Sequence, residues 1–248
     1  MKKKFLNAFE FKNETETSAD LYFYGDITSD YWGAWQSEDQ YPESIKNFLS
    51  EHADKDINIF INSGGGSVFA GIAIYNMLRR HAQKNKVKVT VDGLAGSIAS
   101  VIAFAGSEPP KIPSNAFLMI HNPWILTEGN AEDLRKAADD LDEIREGILN
   151  IYEEHLKEGV AIDDVKKLMD AETWLNGAEA ENYFNVEQTA PVEYAAAVGD
   201  YLNRARNIPQ ALKKASAPDL EAVKAKRADE AKRDAIKRIT IQSYMKGD

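Results

Sequence analysis

Val91-Asp92-Gly93-Leu94-Ala95-Gly96-Ser97-Ile98-Ala99-Ser100-Val101-Ile102-Ala103-Phe104-Ala105-Gly106 is the stretch whose reading decides the fold. The β-branched residues Val87, Val89 and Val91 lead into it and predict a strand over 87–92 that ends at Asp92-Gly93. The small residues Ala95-Gly96-Ser97 predict a tight turn, and the apolar run from Ile98 predicts a buried helix over 97–106. One hydroxyl therefore stands at a strand-to-helix corner. There the unpaired N–H groups and the positive end of the helix dipole favour negative charge. The corner admits two readings. Ser97 is an N-cap, a role serine fills well, or it is a nucleophile whose attack generates an oxyanion at that helix end.

Working outward, the same pattern repeats. The segment Ile57–Asn62 predicts a strand that breaks at Ser63-Gly64-Gly65-Gly66-Ser67, and a helix comes next over 68–81. The spacing is neither G-x-x-x-x-G-K-[ST] nor G-x-G-x-x-G, so a phosphate loop is excluded. The glycines fit a tight turn, or backbone N–H groups offered to an oxyanion. Residues 21–27 and 44–53 predict an earlier strand and helix, and Phe117-Leu118-Met119-Ile120 a buried strand with His121 at its C-terminal end. Alternating strands and helices predict an α/β fold with a mostly parallel sheet. Gly65-Gly66, Ser97 and His121 all fall at C-terminal strand ends, where an open α/β sheet forms its ligand crevice.

Residues 130–157 predict the longest helix, with a narrow apolar seam of Leu134, Ala137, Leu141, Ile144, Ile148 and Ile151 suited to packing on another helix. Asp170 and Glu172 lie beside Trp174, and either carboxylate could orient a histidine. Val186-Glu187 predicts a last short strand and 191–206 a helix, with Pro209 and Pro218 punctuating the chain beyond it. Tyr31, Trp32 and Trp35 form an aromatic loop suited to a groove or to the edge of a core.

The chain of 248 residues carries a net charge of −10, which divides into −16 over residues 1–203 and +6 over residues 204–248. This predicts an N-terminal arm (1–20), one catalytic-size domain (21–203) and a basic, helical or disordered C-terminal extension (204–248). In that extension acids alternate with the basic residues and the one aromatic, Tyr244, lies near its end, which argues against nucleic-acid binding. Cysteine is absent, which excludes disulfides and thiolate chemistry. The four histidines show no metal-ligand spacing, and no signal sequence or membrane span is read, so the expectation is a cytoplasmic protein without metal or cofactor.

Three segments together resemble the Clp protease proteolytic subunit family of serine peptidases: Ile61–Gly71, Gly93–Ser100 and Met119–Pro123. A fourth, Glu172–Ala180, resembles the family's acid-bearing stretch, and the likeness runs in order over about residues 20–190. It implies a ClpP/crotonase-like repeated βαβ spiral with a protruding long handle helix. It also implies peptide-bond hydrolysis with Ser97 as nucleophile, His121 as general base, and the Gly66 and Ile98 N–H groups as oxyanion hole. Glu172 stands where the family has Asp, with Asp170 as the other candidate for the third member. Gly64 replaces the family's Pro and is expected to loosen its loop. The partners implied are a protein or peptide substrate, a homo-oligomeric ring of heptamer type open to stacking, and an ATP-driven AAA+ unfoldase.

The basic extension resembles the phage-encoded branch used in head maturation, which implies the host cytoplasm and a capsid, portal or scaffolding partner. Three other readings compete: a serine–lysine peptidase with Lys111 as base, an acyl-CoA enzyme of the crotonase type, and an inactive Clp-like ring serving as an assembly scaffold.

Overall fold

The computed structural model describes residues 14–34, 39–191 and 207–208. The chain divides into two units after Asn207, and every described residue except Ile208 lies in the first. The expected helix over 191–206 beyond Pro191, Trp35, residues 1–13 of the expected arm and all but Asn207 and Ile208 of the expected extension lie outside the described residues.

Strands β1 (Ser18–Phe23), β2 (Asp56–Ser63) and β3 (Val87–Gly96) pair in parallel. Helix α1 (Pro42–Glu51) links the first two and α2 (Val68–His81) the second two, the crossovers that parallel pairing requires. Every second residue of β2 is buried, with Ile57, Ile59 and Ile61 under 2 % exposed. Helix α2 buries Ala70, Gly71, Ile74, Tyr75 and Leu78 at steps of one, three and four, the stripe of a helix lying on a sheet. β1 starts at Ser18 rather than at 21, because its pairing with β2 runs from Ser18↔Asp56 and buries Ala19.

The strand expected to end at Asp92-Gly93 does not end there. β3 continues to Gly96, and its register on β2 jumps from Ile61↔Val91 to Ser63↔Ala95. Two residues of β2 thus face four of β3, so Asp92-Gly93 is a bulge inside a strand and not a turn. Side chains hold the bulge: Tyr24 Oη donates to Asp92 Oδ2, and Asn62 Oδ1 accepts the Leu94 N–H at 3.2 Å. The bulge redirects β3, so its first half pairs β4 (Lys111–Pro113) and its last three residues pair β5 (Phe117–Ile120). The buried helix α3 (Ile98–Ala103) comes after β3, shorter than the expected 97–106.

Burial raises the Asp92 pKa above its ordinary 3.8, and the Tyr24 hydrogen bond only partly offsets this. The folded state therefore disfavours the ionised form as pH rises from 3.8 through the raised native value. Asp92→Asn keeps an acceptor for Tyr24. It should unfold at a higher temperature than wild type at pH 7, with the gap closing below pH 3.8, measured by thermal denaturation across pH.

The second half of the unit contains α4 (Ala131–Glu153), α5 (Ile162–Asp170), β6 (Thr173–Asn176), α6 (Gly177–Ala180) and β7 (Glu187–Thr189). β6 pairs β5 antiparallel and β7 pairs β4 in parallel. α4 buries Ile148, Leu149 and Tyr152 near its C-terminal end, whereas Leu134 is 47 % exposed. Its start is a full capping box: Asn130 accepts from the Glu132 and Asp133 N–H groups while Asp133 accepts from Asn130. No described helix is long and apolar enough to cross a membrane.

Candidate active site

Three C-terminal strand ends meet at one corner. The turn after β2 is held by Ser63, whose Oγ donates to Gly25 O at 2.6 Å and accepts the Gly65 N–H at 3.1 Å. Ile27 clamps the same turn by donating to Gly65 O (2.8 Å) and accepting from Ser67 N (2.7 Å). The turn is thus tethered on both sides of Gly64. Gly66 has φ +146°, and a Cβ there would lie 2.1 Å from Ile27 O, so only glycine fits. A Cβ on Gly65 would lie 2.8 Å from Ser97 Cβ and 3.0 Å from Ile98 N, which places this turn directly against the end of β3.

At that end Ser97 has φ 53° and ψ −126°, a backbone state that costs a non-glycine residue about 1–3 kcal/mol. Its N–H donates to Met119 O at 2.9 Å, fixing the corner to β5. Its side chain makes no cap hydrogen bond, which excludes the N-cap reading. Instead Ser97 Oγ lies 2.8 Å from His121 Nε2. The register explains the meeting: Gly96 pairs with Met119 on the adjacent strand, so the residues just beyond each strand end are neighbours. If the Ser97 hydroxyl donates, the imidazole is neutral with its proton on Nδ1, the tautomer a general base needs.

Among the described residues, neither the Gly66 N–H nor the Ile98 N–H meets an acceptor. Ile98 is the first residue of α3, where N–H groups have no partner within the helix. Behind it, a Cβ on Gly71 would lie 2.2 Å from Ile98 Cγ1, so α2 packs on Ile98 with no room for a side chain at this position. Gly71→Ala should destabilise the fold by about 1–3 kcal/mol in chemical denaturation, because the site can only accommodate the methyl by shifting Ile98.

The carboxylates separate. Asp170 Oδ1 accepts from Asn122 Nδ2 at 2.9 Å and pairs with Arg145 Nη2 at 2.9 Å. Glu172 has φ 49° and its Oε1 accepts the Asn207 N–H at 3.0 Å. The β5–β6 register ends at Ile120↔Thr173, so His121 comes just after the last paired residue of β5 and Glu172 just before the first of β6. Lys111 does not join the corner: its register partner is Thr90, at the far half of β3, and its Nζ lies 3.8 Å from Glu187 Oε1. Among the described residues no group of three or more His, Asp or Glu is arranged to hold a metal. Sequence reasoning passed over Asn122, Ser100, Tyr152 and Arg145. Only Asn122, next to His121, gave a positional signal.

The Clp protease family model matches residues 38–189, well over half of the chain. The chain belongs to the Clp protease family. The α/β fold with its mostly parallel sheet is the fold that this membership requires. It is 32 % identical over 136 residues to an ATP-dependent Clp protease proteolytic subunit of Bacteroides fragilis, covering 54 % of this chain and 63 % of that protein. It is 31 % identical over 141 residues to the ATP-dependent Clp protease proteolytic subunit 1 of Salinibacter ruber, covering 56 % and 58 %. The chain thus spans about three-fifths of the length of the curated relatives it matches.

Proposed function

We propose that this Clp family member is a serine endopeptidase that cleaves peptide bonds by acyl transfer. One observation carries the reading above all: Ser97 Oγ, on a strained positive-φ corner, lies 2.8 Å from His121 Nε2. Strain of this kind, held by the surrounding structure, exposes a nucleophile as the elbow of other serine hydrolases does.

His121 takes the Ser97 proton as Oγ attacks the scissile carbonyl. The Gly66 and Ile98 N–H groups, which meet no acceptor among the described residues, donate to the oxyanion that forms. His121 then protonates the leaving amine, and water enters by the same route in reverse to release the acyl group. Glu172, which directly precedes the strand paired with the one that ends before His121, is assigned to hold the imidazole tautomer and stabilise its charged form, as glutamate does in other triads. Asp170, engaged by Arg145 and Asn122 as Glu172 is by the Asn207 N–H, is the second candidate for the role.

The finer reading places the chain in the phage-type branch acting in prohead maturation, as a homo-oligomeric ring of heptamer type with α4 as its handle. It rests on the basic segment 204–248 and on the uncovered Leu134 end of α4. An unfoldase partner and capsid, portal or scaffolding substrates belong to the same reading.

The test is turnover of fluorogenic peptides by wild type, His121→Ala, Lys111→Ala and Glu172→Gln. Loss with His121→Ala, a loss of about 10^4 with Glu172→Gln, and no loss with Lys111→Ala support the triad. Retained activity in His121→Ala together with loss in Lys111→Ala would assign the serine–lysine mechanism instead.

A further inference from the structure

We propose that α4 positions both members of the Ser97–His121 pair, through two hydrogen-bonded relays that leave the helix two turns apart at Tyr152 and Arg145. This rests on the serine peptidase reading and adds to it residues that touch neither substrate nor the reacting atoms.

The first relay reaches the nucleophile. Ser100 Oγ donates to the carbonyl oxygen of Ser97. A hydroxyl has one proton to give, so Tyr152 Oη, 2.7 Å from Ser100 Oγ, is the donor of the second bond. Both side chains are buried, Ser100 completely. Burial raises the Tyr152 pKa far above its ordinary 10.0, so the phenol keeps the proton that this bond requires. The carbonyl so tethered belongs to the residue with φ 53°, where nothing in the local backbone preference would hold the conformation.

The second relay reaches the base. Arg145 is seven residues before Tyr152, two helical turns, and so on the same side of α4. Its Nη2 lies 2.9 Å from Asp170 Oδ1 and donates to Lys166 O at 3.4 Å. Asp170 Oδ1 also accepts from Asn122 Nδ2, and Asn122 comes directly after His121. The Asn122 Oδ1 is buried without a partner among the described residues, so Asp170 is the anchor for that side chain. Asp170 is 57 % exposed, and an ion pair so open to water adds little to stability. What the relay supplies is geometry at the residue next to the base. A displacement of about 1 Å at a reacting group can cost a hundredfold in rate, so such a tether has leverage on turnover.

The experiment compares wild type, Arg145→Ala, Arg145→Lys, Asp170→Ala, the Arg145→Ala/Asp170→Ala double variant and Tyr152→Phe. It reads kcat and KM on a fluorogenic peptide, the unfolding midpoint, and the His121 imidazole 1H–15N signals. Arg145→Ala and Asp170→Ala should each lower kcat about tenfold with KM within about twofold, and the double variant should be no worse than either, as expected for one unit. Arg145→Lys should restore most of the loss, and the unfolding midpoint should stay near that of wild type. Tyr152→Phe, which leaves the Ser100 bond to Ser97 intact, should lower kcat by about two- to tenfold. The His121 signals should shift in Arg145→Ala and return in Arg145→Lys.

Unchanged kcat and unshifted His121 signals in Arg145→Ala would overturn the proposal, as would losses that add in the double variant. A loss near 10^4-fold in Asp170→Ala alone, unmatched in Arg145→Ala, would make Asp170 the triad acid and overturn it too. A wild type without turnover refutes the peptidase reading separately. The His121 signals then still decide whether α4 positions the histidine.

Discussion

Ser97→Ala and His121→Ala should each lower peptide-bond turnover by about 10^4- to 10^6-fold, and the double variant should be no slower than the worse of the two. The reason lies in the 2.8 Å contact between Ser97 Oγ and His121 Nε2. A serine hydroxyl at its ordinary pKa is a weak nucleophile, and the neighbouring imidazole makes it competent by taking the proton during attack. Removing either partner removes the same step, so the losses do not add. The residual rate comes from the oxyanion donors and from substrate binding. The measurement is kcat on a fluorogenic peptide, with the fold checked by circular dichroism. Losses that multiply in the double variant would mean that the two residues act in separate steps.

Gly66→Ala should lower kcat by about 10^2- to 10^3-fold, the loss expected for one displaced oxyanion donor. A Cβ at this position would lie 2.1 Å from Ile27 O and 3.0 Å from Ile27 N, and the backbone has φ +146°. The methyl group cannot be accommodated by a side-chain rotation, because what it meets is backbone. Either Ile27 withdraws, breaking its bonds to Gly65 O and Ser67 N, or Gly66 rotates and its N–H leaves the corner. Both routes cost turnover. Because the donor acts on charge that develops only in the transition state, KM should change far less than kcat. Steady-state kinetics with Gly66→Ala, set beside Gly147→Ala on α4, where a Cβ meets nothing within 4 Å, checks this.

The positions of Ser97 and His121, the proposed pair, were legible because each lies where a periodic segment stops. The helix α2 was read with the bounds the structure gives, 68–81, because its apolar spacing and the glycine turn before it agree. His121 was placed correctly at the end of an apolar run that pairs as β5. Asp92-Gly93 was misread as a strand end, since a glycine after an acid signals a turn as readily as a bulge. Only the Ile61/Ser63 register jump, a long-range fact, shows that the strand goes on. The three-residue β4 is too short to carry periodicity, and α5 and β6 fall in a segment read for its two acids alone. The positive φ of Ser97 has no local signature, because serine is not a residue that seeks it. The partners that separate Asp170 from Glu172 are long-range, Arg145 and Asn122 for the one and Asn207 for the other, which two acids two residues apart could not reveal.

The central claim is a working Ser97–His121 pair, and intact mass after incubation with a fluorophosphonate tests it most directly. A single adduct on wild type that is absent in Ser97→Ala and His121→Ala is the predicted result. A wild type left unlabelled both as a monomer and in its size-separated oligomer would contradict the account and favour an inactive Clp-like scaffold.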